Sequence, residues 1–210
     1  MRVERVWVTR IPTARLVLEP VTATNAAVLW RLMQSAHLRD YQDVPRYTRD
    51  EFARRVATRP KRFDSRATGR FEWLVISLAS NEPIGWISLR VGDHARGNAE
   101  IGYSILAPHR NAGFATEAAR ALVADAFETT ELRQVDACCV PENLGSRRLL
   151  AKIGFSEARV QRNGAVVRGK PVDIVIYEMT RAHWEESARS SAGQGESRNS
   201  IVIPASGNPK

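Results

Sequence analysis

Apolar and polar residues change rhythm several times along this chain, and each change predicts an element. In ARLVLEPV, Leu16, Leu18 and Val21 mark a first strand. Thr24 can then cap a helix whose apolar side includes Ala27, Val28, Leu32 and Met33. Thr48 and Glu51 stand at the spacing of a capping box, so a short basic helix should follow and stop before Pro60. FEWLVISL is apolar and rich in strand-forming residues. Asn81-Glu82 reads as a turn, and PIGWISLRV is the next strand. From Ala99 to Leu106 the pattern alternates. Ile101, Tyr103 and Ile105 share one face, and Glu100, Gly102 and Ser104 the other.

After Pro108 the period lengthens. Ala115, Ala118, Ala119, Leu122, Val123, Ala126 and Phe127 recur at helical spacing, predicting a helix from about Gly113 to Thr129. QVDACCV reads as a buried strand. Pro141 and Asn143 open another helix, which Gly154 stops. EARVQR and VDIVIYEM would be a closing pair of strands, joined through Asn163-Gly164 and Gly169. The order is strand, two helices, three strands, helix, strand, helix, two strands, which predicts a mixed α/β sheet. From Ser187 to Lys210 the chain is rich in Ser, Gly, Ala and Asn, and its apolar cluster is Ile201-Val202-Ile203. That composition is expected to give one domain over residues 1–186 and a flexible tail over 187–210, with docking of the Ile-Val-Ile cluster as the alternative.

Composition narrows the class. A chain of 210 residues with 43% hydrophobic and 26% charged residues is ordinary for a globular domain, and it can bury enough surface without staples. The two cysteines, Cys138 and Cys139, are adjacent, so they form no disulfide framework and no metal-ligand spacing. Both are expected in a buried strand as small apolar side chains. His37, His94, His109 and His183 are scattered, and no metal is expected. No apolar run could span a bilayer, and Met1 to Pro12 lacks a signal-peptide core, so the expected location is cytoplasmic. The net charge is +8, and residues 39–70 hold ten basic residues against five acidic ones. Such an excess attracts polyanions: nucleic acid, an acidic macromolecule or a phosphorylated cofactor.

Arg110-Asn111-Ala112-Gly113-Phe114-Ala115 lies between a strand and a helix. Small residues at 113 and 115 let a ligand approach the backbone, and the helix start points its N–H groups at an anion. Arg110 adds a cation. The loop is a phosphate cradle by its physics, although it is neither a Walker A loop nor a GxGxxG fingerprint.

The Arg110, Gly113, Ala115 pattern resembles the pyrophosphate motif of the GNAT superfamily of acyl-CoA-dependent N-acetyltransferases. TARLVLEPV, PIGWISL, AEIGYSILAPHRNAGFATEA, VPENLGSRRLLAKIGF and GKPVDIVIYEMTRAHW are similar to successive segments of the ribosomal-protein alanine acetyltransferases (the RimJ/RimL type). The resemblance covers about residues 13 to 184. It implies a GNAT fold: a mixed, mostly antiparallel sheet flanked by helices and splayed between its fourth and fifth strands. Acetyl-CoA would lie in that gap as co-substrate, with no metal. The backbone around Ser104, Ile105 and Leu106 would pair with the pantetheine arm. The N–H groups of Arg110, Asn111, Ala112, Gly113, Phe114, Ala115 and Thr116 would hold the pyrophosphate, and Asn143 matches a cofactor-contacting asparagine. Glu100 is the implied general base, with a structural glutamate as its other reading, and Ser146 the general acid, with Tyr103 and Tyr177 as alternatives. Relatives often carry a glutamate three residues after the Gly-Phe that here is Gly154-Phe155. This chain has Glu157 one position earlier, and it receives no role.

The implied activity is acetyl transfer to a primary amine, a protein N-terminus, by direct attack in a ternary complex. One alternative is a small amine such as an antibiotic or polyamine. Another is a non-catalytic nucleic-acid-binding protein on a degenerate GNAT fold. The basic arm from Leu38 to Arg62 disfavours a polycationic drug and suits an acidic protein tail or a ribosome-bound substrate. No membrane partner is expected and nucleic acid is disfavoured. Monomer and homodimer both stay open.

Overall fold

The computed structural model describes residues 8–35, 41, 47–64, 68–92 and 97–196. His37, His94, Asp40, Asp43 and residues 197–210, including the Ile201-Val202-Ile203 cluster, lie outside the described residues. Eight strands form one sheet in the order β1-β2-β3-β4-β5-β6-β8-β7. The strands are β1 (Ile11–Pro12), β2 (Leu16–Pro20), β3 (Gly69–Ser77), β4 (Pro83–Val91), β5 (Asn98–Ile105), β6 (Gln134–Cys139), β7 (Ser156–Val167) and β8 (Lys170–Thr180). The helices are α1 (Ala26–Met33), α2 (Arg49–Ala57), α3 (Phe114–Thr129), α4 (Leu144–Lys152) and α5 (Arg181–Glu196). Every pairing is antiparallel except β5 with β6. The fourth and fifth strands of the sequence reading are β5 and β6, because the two-residue β1 comes before the first strand it foresaw.

Pleating sends alternate residues to two cores. Trp73, Val75, Ile87, Leu89, Ile101 and Ile105 meet Ala118, Ala119, Leu122, Ala126 and Phe127 of α3 and Leu149 and Leu150 of α4. On the other face Leu74 and Trp86 meet Ala26, Leu29 and Leu32 of α1 and Phe52 and Val56 of α2. This second face also buries a charge. The Glu72 carboxylate accepts from Arg70 Nε at 2.7 Å and pairs with Arg59, whose guanidinium lies over the Phe52 ring. Burial, and then the neighbouring Arg70 charge, lowers the Arg59 pKa to about 10.

Several local readings change. Helix α1 begins after Asn25, not Thr24, and it buries Ala26, Leu29 and Leu32. Asn25 is tied into the turn: its Oδ1 accepts from Thr22 N at 2.8 Å and its Nδ2 donates to the Pro20 carbonyl at 2.9 Å. The closing hairpin turns only at Arg168-Gly169, where φ is 53° and 75°, the paired positive values a two-residue hairpin favours. Asn163-Gly164 instead lies inside β7, within the register shift between Gln161 and Ala165. Cys138 is exposed, and only Cys139 is buried, because neighbours on a strand face opposite ways. Helix α5 crosses the 186/187 boundary drawn from composition. Its start is held by Arg181, which donates to the carbonyls of Phe127, Thr130 and Leu132 at 2.7–2.8 Å. Among the described residues no helix is long and apolar enough to cross a membrane.

Candidate active site

Strands β5 and β6 pair only at Asn98–Gln134, Ala99–Val135 and Glu100–Asp136. Beyond Glu100 they diverge, and a cleft of about 610 Å³ opens between Ile101–Ile105 on one side and Ala137–Cys139 on the other. The divergence leaves backbone groups of β5 without a strand partner. The Leu106 N–H donates to the Ile84 carbonyl at 2.9 Å, so alternation turns the N–H and C=O groups of Ile101, Tyr103 and Ile105 toward the gap. The Ile105 carbonyl accepts from Arg110 Nε at 3.0 Å. Ser104 and Ile105 line the cleft, and Leu106 stands outside its lining.

The loop after β5 caps one end of the cleft. Asn111 and Gly113 both have positive φ, 61° and 82°, so the loop curls before α3 begins. Gly113 is the N-cap residue of α3, and no side chain bonds the first-turn N–H groups there. The N–H groups of Phe114, Ala115 and Thr116 therefore lack helical partners and can meet an anion. Arg110, Asn111, Gly113, Phe114, Ala115 and Thr116 all line the cleft; the Ala112 carbonyl is taken by Arg15 Nη1 at 3.0 Å. The arrangement fits a diphosphate: curled backbone, free N–H groups and an adjacent guanidinium.

Helix α4 supplies the other wall. Asn143 is its N-cap, and its Oδ1 accepts from Ser146 N at 3.1 Å. Asn143 also lines the cleft, so its cap role and a ligand contact coexist. The Ser146 hydroxyl is 2.7 Å from the Tyr103 hydroxyl, on the α3–α4 face. Burial pushes the Tyr103 pKa well above the ordinary tyrosine value, against the opposing hydrogen bond of Ser146. Tyr103 thus stays a neutral phenol, and either hydroxyl of the pair can donate to the other. The alternation with Ile101 and Ile105 foresaw its face, and the hydroxyl contact gives that face a polar end.

Glu100 stands at the apex of the splay, on the opposite face. Its carboxylate accepts from Arg90 Nη2 at 2.7 Å, and its side chain is 42% exposed. It lies outside the cleft lining, while the next residue, Ile101, is in it. Cys138 shares the face of Glu100 and lines the cleft. Although Cys138 is exposed as a residue, partial desolvation of its thiol, then the Glu100 charge, raises its pKa to about 11, which makes it a poor nucleophile at neutral pH. Among the described residues no group of three or more His, Cys, Asp or Glu side chains is placed to hold a metal ion.

Tyr177, the other alternative general acid, belongs to a triad whose two further members, Arg147 and Glu157, had no role from the sequence. Tyr177 donates its hydroxyl proton to Glu157 at 3.1 Å and accepts from Arg147 Nε at 3.0 Å, and Arg147 also pairs with Glu157 at 3.2 Å. The ladder places Glu157 opposite Tyr177, before the register shift between Glu157 and Arg159. That position lets Glu157 reach α4 beside Ser146. The spacing departure at Glu157 was the available signal, but a β-bulge is not visible in a residue count.

Comparison with known proteins places this geometry. A family model described as an acetyltransferase (GNAT) domain matches residues 15–156. YdaF of Bacillus subtilis, named as a ribosomal N-acetyltransferase, is 39% identical over 101 residues, which are 48% of this chain and 55% of that protein. The ribosomal-protein-S5-alanine acetyltransferase of Vibrio fischeri superposes with a TM-score of 0.73 at 14% identity, covering 84% of this chain and 99% of that one. A ribosomal L7/L12 α-N-protein acetyltransferase solved in complex with coenzyme A gives 0.70 at 17% identity, covering 82% and 98%.

Proposed function

Because this chain belongs to the GNAT acetyltransferase family, we propose that it moves an acetyl group from acetyl-CoA to a primary amine, the N-terminal amine of a protein. The chain is an N-acetyltransferase; the acceptor and the roles of individual residues are the proposal. One observation carries it: the gap between β5 and β6 joins the two faces of the sheet, with Glu100 at its apex on one side and Tyr103 and Ser146 on the other.

The transfer needs a deprotonated amine, a polarised thioester carbonyl and a protonated leaving thiolate. Glu100, half-exposed and partnered by Arg90, takes the ammonium proton directly or through a water. The backbone N–H groups of β5 that face the gap can meet the carbonyl oxygen. The Ser146 hydroxyl, hydrogen-bonded to the neutral Tyr103, gives a proton to the departing sulfur, and the pair takes one back from water in the cleft. The high Cys138 pKa favours direct attack by the amine over an acyl-cysteine intermediate. The loop 110–116 receives the diphosphate, and Asn143 steadies the start of α4.

The protein acceptor is supported by similarity to a relative named as a ribosomal N-acetyltransferase and by charge. Helix α2 and the segment after it expose Arg49, Arg54, Arg55 and Lys61, which suit an acidic protein better than a polycationic small amine. The test is thiol release from acetyl-CoA with peptides of varied N-terminus and acidity, against spermidine and an aminoglycoside. Acidic peptides should give the highest kcat/KM, with the product acetylated at its α-amine. A higher kcat/KM for a small polyamine would overturn the protein acceptor.

A further inference from the structure

The phosphate-receiving loop is held from outside the cleft by one side chain of the first hairpin. Arg15, between β1 and β2, donates Nε to Glu117 Oε2 at 2.7 Å and Nη1 to the Ala112 carbonyl at 3.0 Å. Its guanidinium lies 4.6 Å over the Phe114 ring. Its backbone N–H donates to Glu117 Oε1 at 2.8 Å, and Thr13 Oγ1 donates to the same oxygen at 2.6 Å. Ala112, Phe114 and Glu117 bracket Gly113, the residue at which the loop turns into α3. A Cβ at Gly113 would come 3.4 Å from Arg15 Nη2, so the guanidinium sits close behind that turn.

Charge gives the arrangement a second consequence. Burial raises the Glu117 pKa, but the hydrogen bonds from Thr13 and Arg15 outweigh it, and the group stays below its ordinary value. Glu117 is therefore an anion in the first turn of α3. That suits the helix dipole, but an uncompensated carboxylate there would repel a diphosphate at the same helix end. Arg15 cancels that charge and fixes the loop in the same contact. Arg15 itself does not line the cleft, so it acts through the loop.

We propose that Arg15 is a positioning residue: it holds the 110–116 loop in its anion-receiving shape and neutralises Glu117, thereby setting the affinity for the diphosphate of acetyl-CoA. This rests on the reading of that loop as the acetyl-CoA site.

The test separates the phosphate half of CoA from its thiol arm. Wild type, Arg15→Ala and Arg15→Lys are titrated calorimetrically with CoA. They are also titrated by NMR with millimolar pantetheine, which carries the arm and thiol but no phosphate. Arg15→Ala should weaken CoA about tenfold or more, the scale of a lost hydrogen-bonded charge contact. Arg15→Lys should recover part of that loss, because it keeps the charge but not the fork and the stack. Pantetheine shifts should be unchanged in both. In steady state KM for acetyl-CoA should rise while kcat holds. Wild-type CoA affinity in Arg15→Ala overturns the proposal. So does an equal loss of CoA and pantetheine, or a loss that tracks a fallen melting temperature in both variants, since either makes Arg15 a support of the fold alone. If wild type itself binds no CoA, the reading of the loop fails and the proposal goes with it.

Discussion

Ser146→Ala is the most informative single change, because the structure sets its effects on stability and on turnover separately. The substitution removes the partner of the Tyr103 hydroxyl, 2.7 Å away. A buried hydroxyl left unpaired costs about 1–3 kcal/mol. Ser146 lines the cleft, so water can partly replace it, and the lower end, about 1 kcal/mol, is expected. Tyr103→Phe removes the other member and leaves Ser146 facing the cleft, where it is solvated. The double variant should then be less destabilised than the sum of the singles, with a coupling of about 0.5–1.5 kcal/mol in urea unfolding. Turnover should follow the same logic. If both hydroxyls serve one thiolate, the double variant should be no slower than the worse single variant. Ser146→Ala alone should lower kcat modestly, since water can protonate a thiolate whose parent thiol has a pKa of about 8.5. The assay is thiol release at saturating acetyl-CoA, with a CoA titration to show that binding is retained. Strictly additive losses in both stability and kcat would refute the shared role and leave Tyr103 as a packing residue.

Glu100→Gln keeps size and can still bond Arg90, but it removes the base; turnover should fall by about 10²–10⁴ with CoA affinity unchanged. Full turnover at neutral pH would place the base elsewhere, and loss of CoA binding along with activity would make Glu100 structural. Gly113→Glu adds bulk and negative charge at a φ of 82°, and it should abolish the stabilisation by CoA, about 2.7 kcal/mol at a hundredfold excess over Kd, in a thermal-shift titration. Glu72→Ala leaves the largely sequestered Arg59 without its carboxylate, while the half-exposed Arg70 can turn to water; urea unfolding should show a loss of about 3 kcal/mol, the low end for a broken buried pair. Tyr103 has a folded pKa raised above its unfolded value, so the stability it lends is complete below about pH 10 and is lost as pH rises beyond that. Unfolding measured from pH 8 to 11 should show this loss in wild type and less of it in Tyr103→Phe.

Local rules were legible in the sequence wherever the deciding atoms lie within a few residues of one another. The Thr48–Glu51 box, with Glu51 N donating to Thr48 Oγ1 and Thr48 N to Glu51 Oε2, opens α2 where the spacing put it. PIGWISLRV is β4 from end to end, and the apolar period from Ala115 to Phe127 is the inner face of α3. The turn into α3 at Gly113 was legible from a small residue before a helical period, while its reading as a phosphate cradle leaned on the family resemblance. Tertiary structure decided what depends on residues far apart in the chain. Tyr103 meets Ser146 across 43 positions, and Arg15 meets Glu117 across 102, so neither pair leaves a periodic trace. Glu157 had no role by residue count, but the ladder sets it opposite Tyr177 and beside α4. The splay of β5 from β6 is tertiary in the same sense. Both strands carry ordinary strand patterns, and their parting after Glu100 and Asp136 leaves no local trace in either, so it was expected from the family resemblance alone. Sequence therefore named the elements and most of the polar candidates, and packing chose which of them meet across the gap.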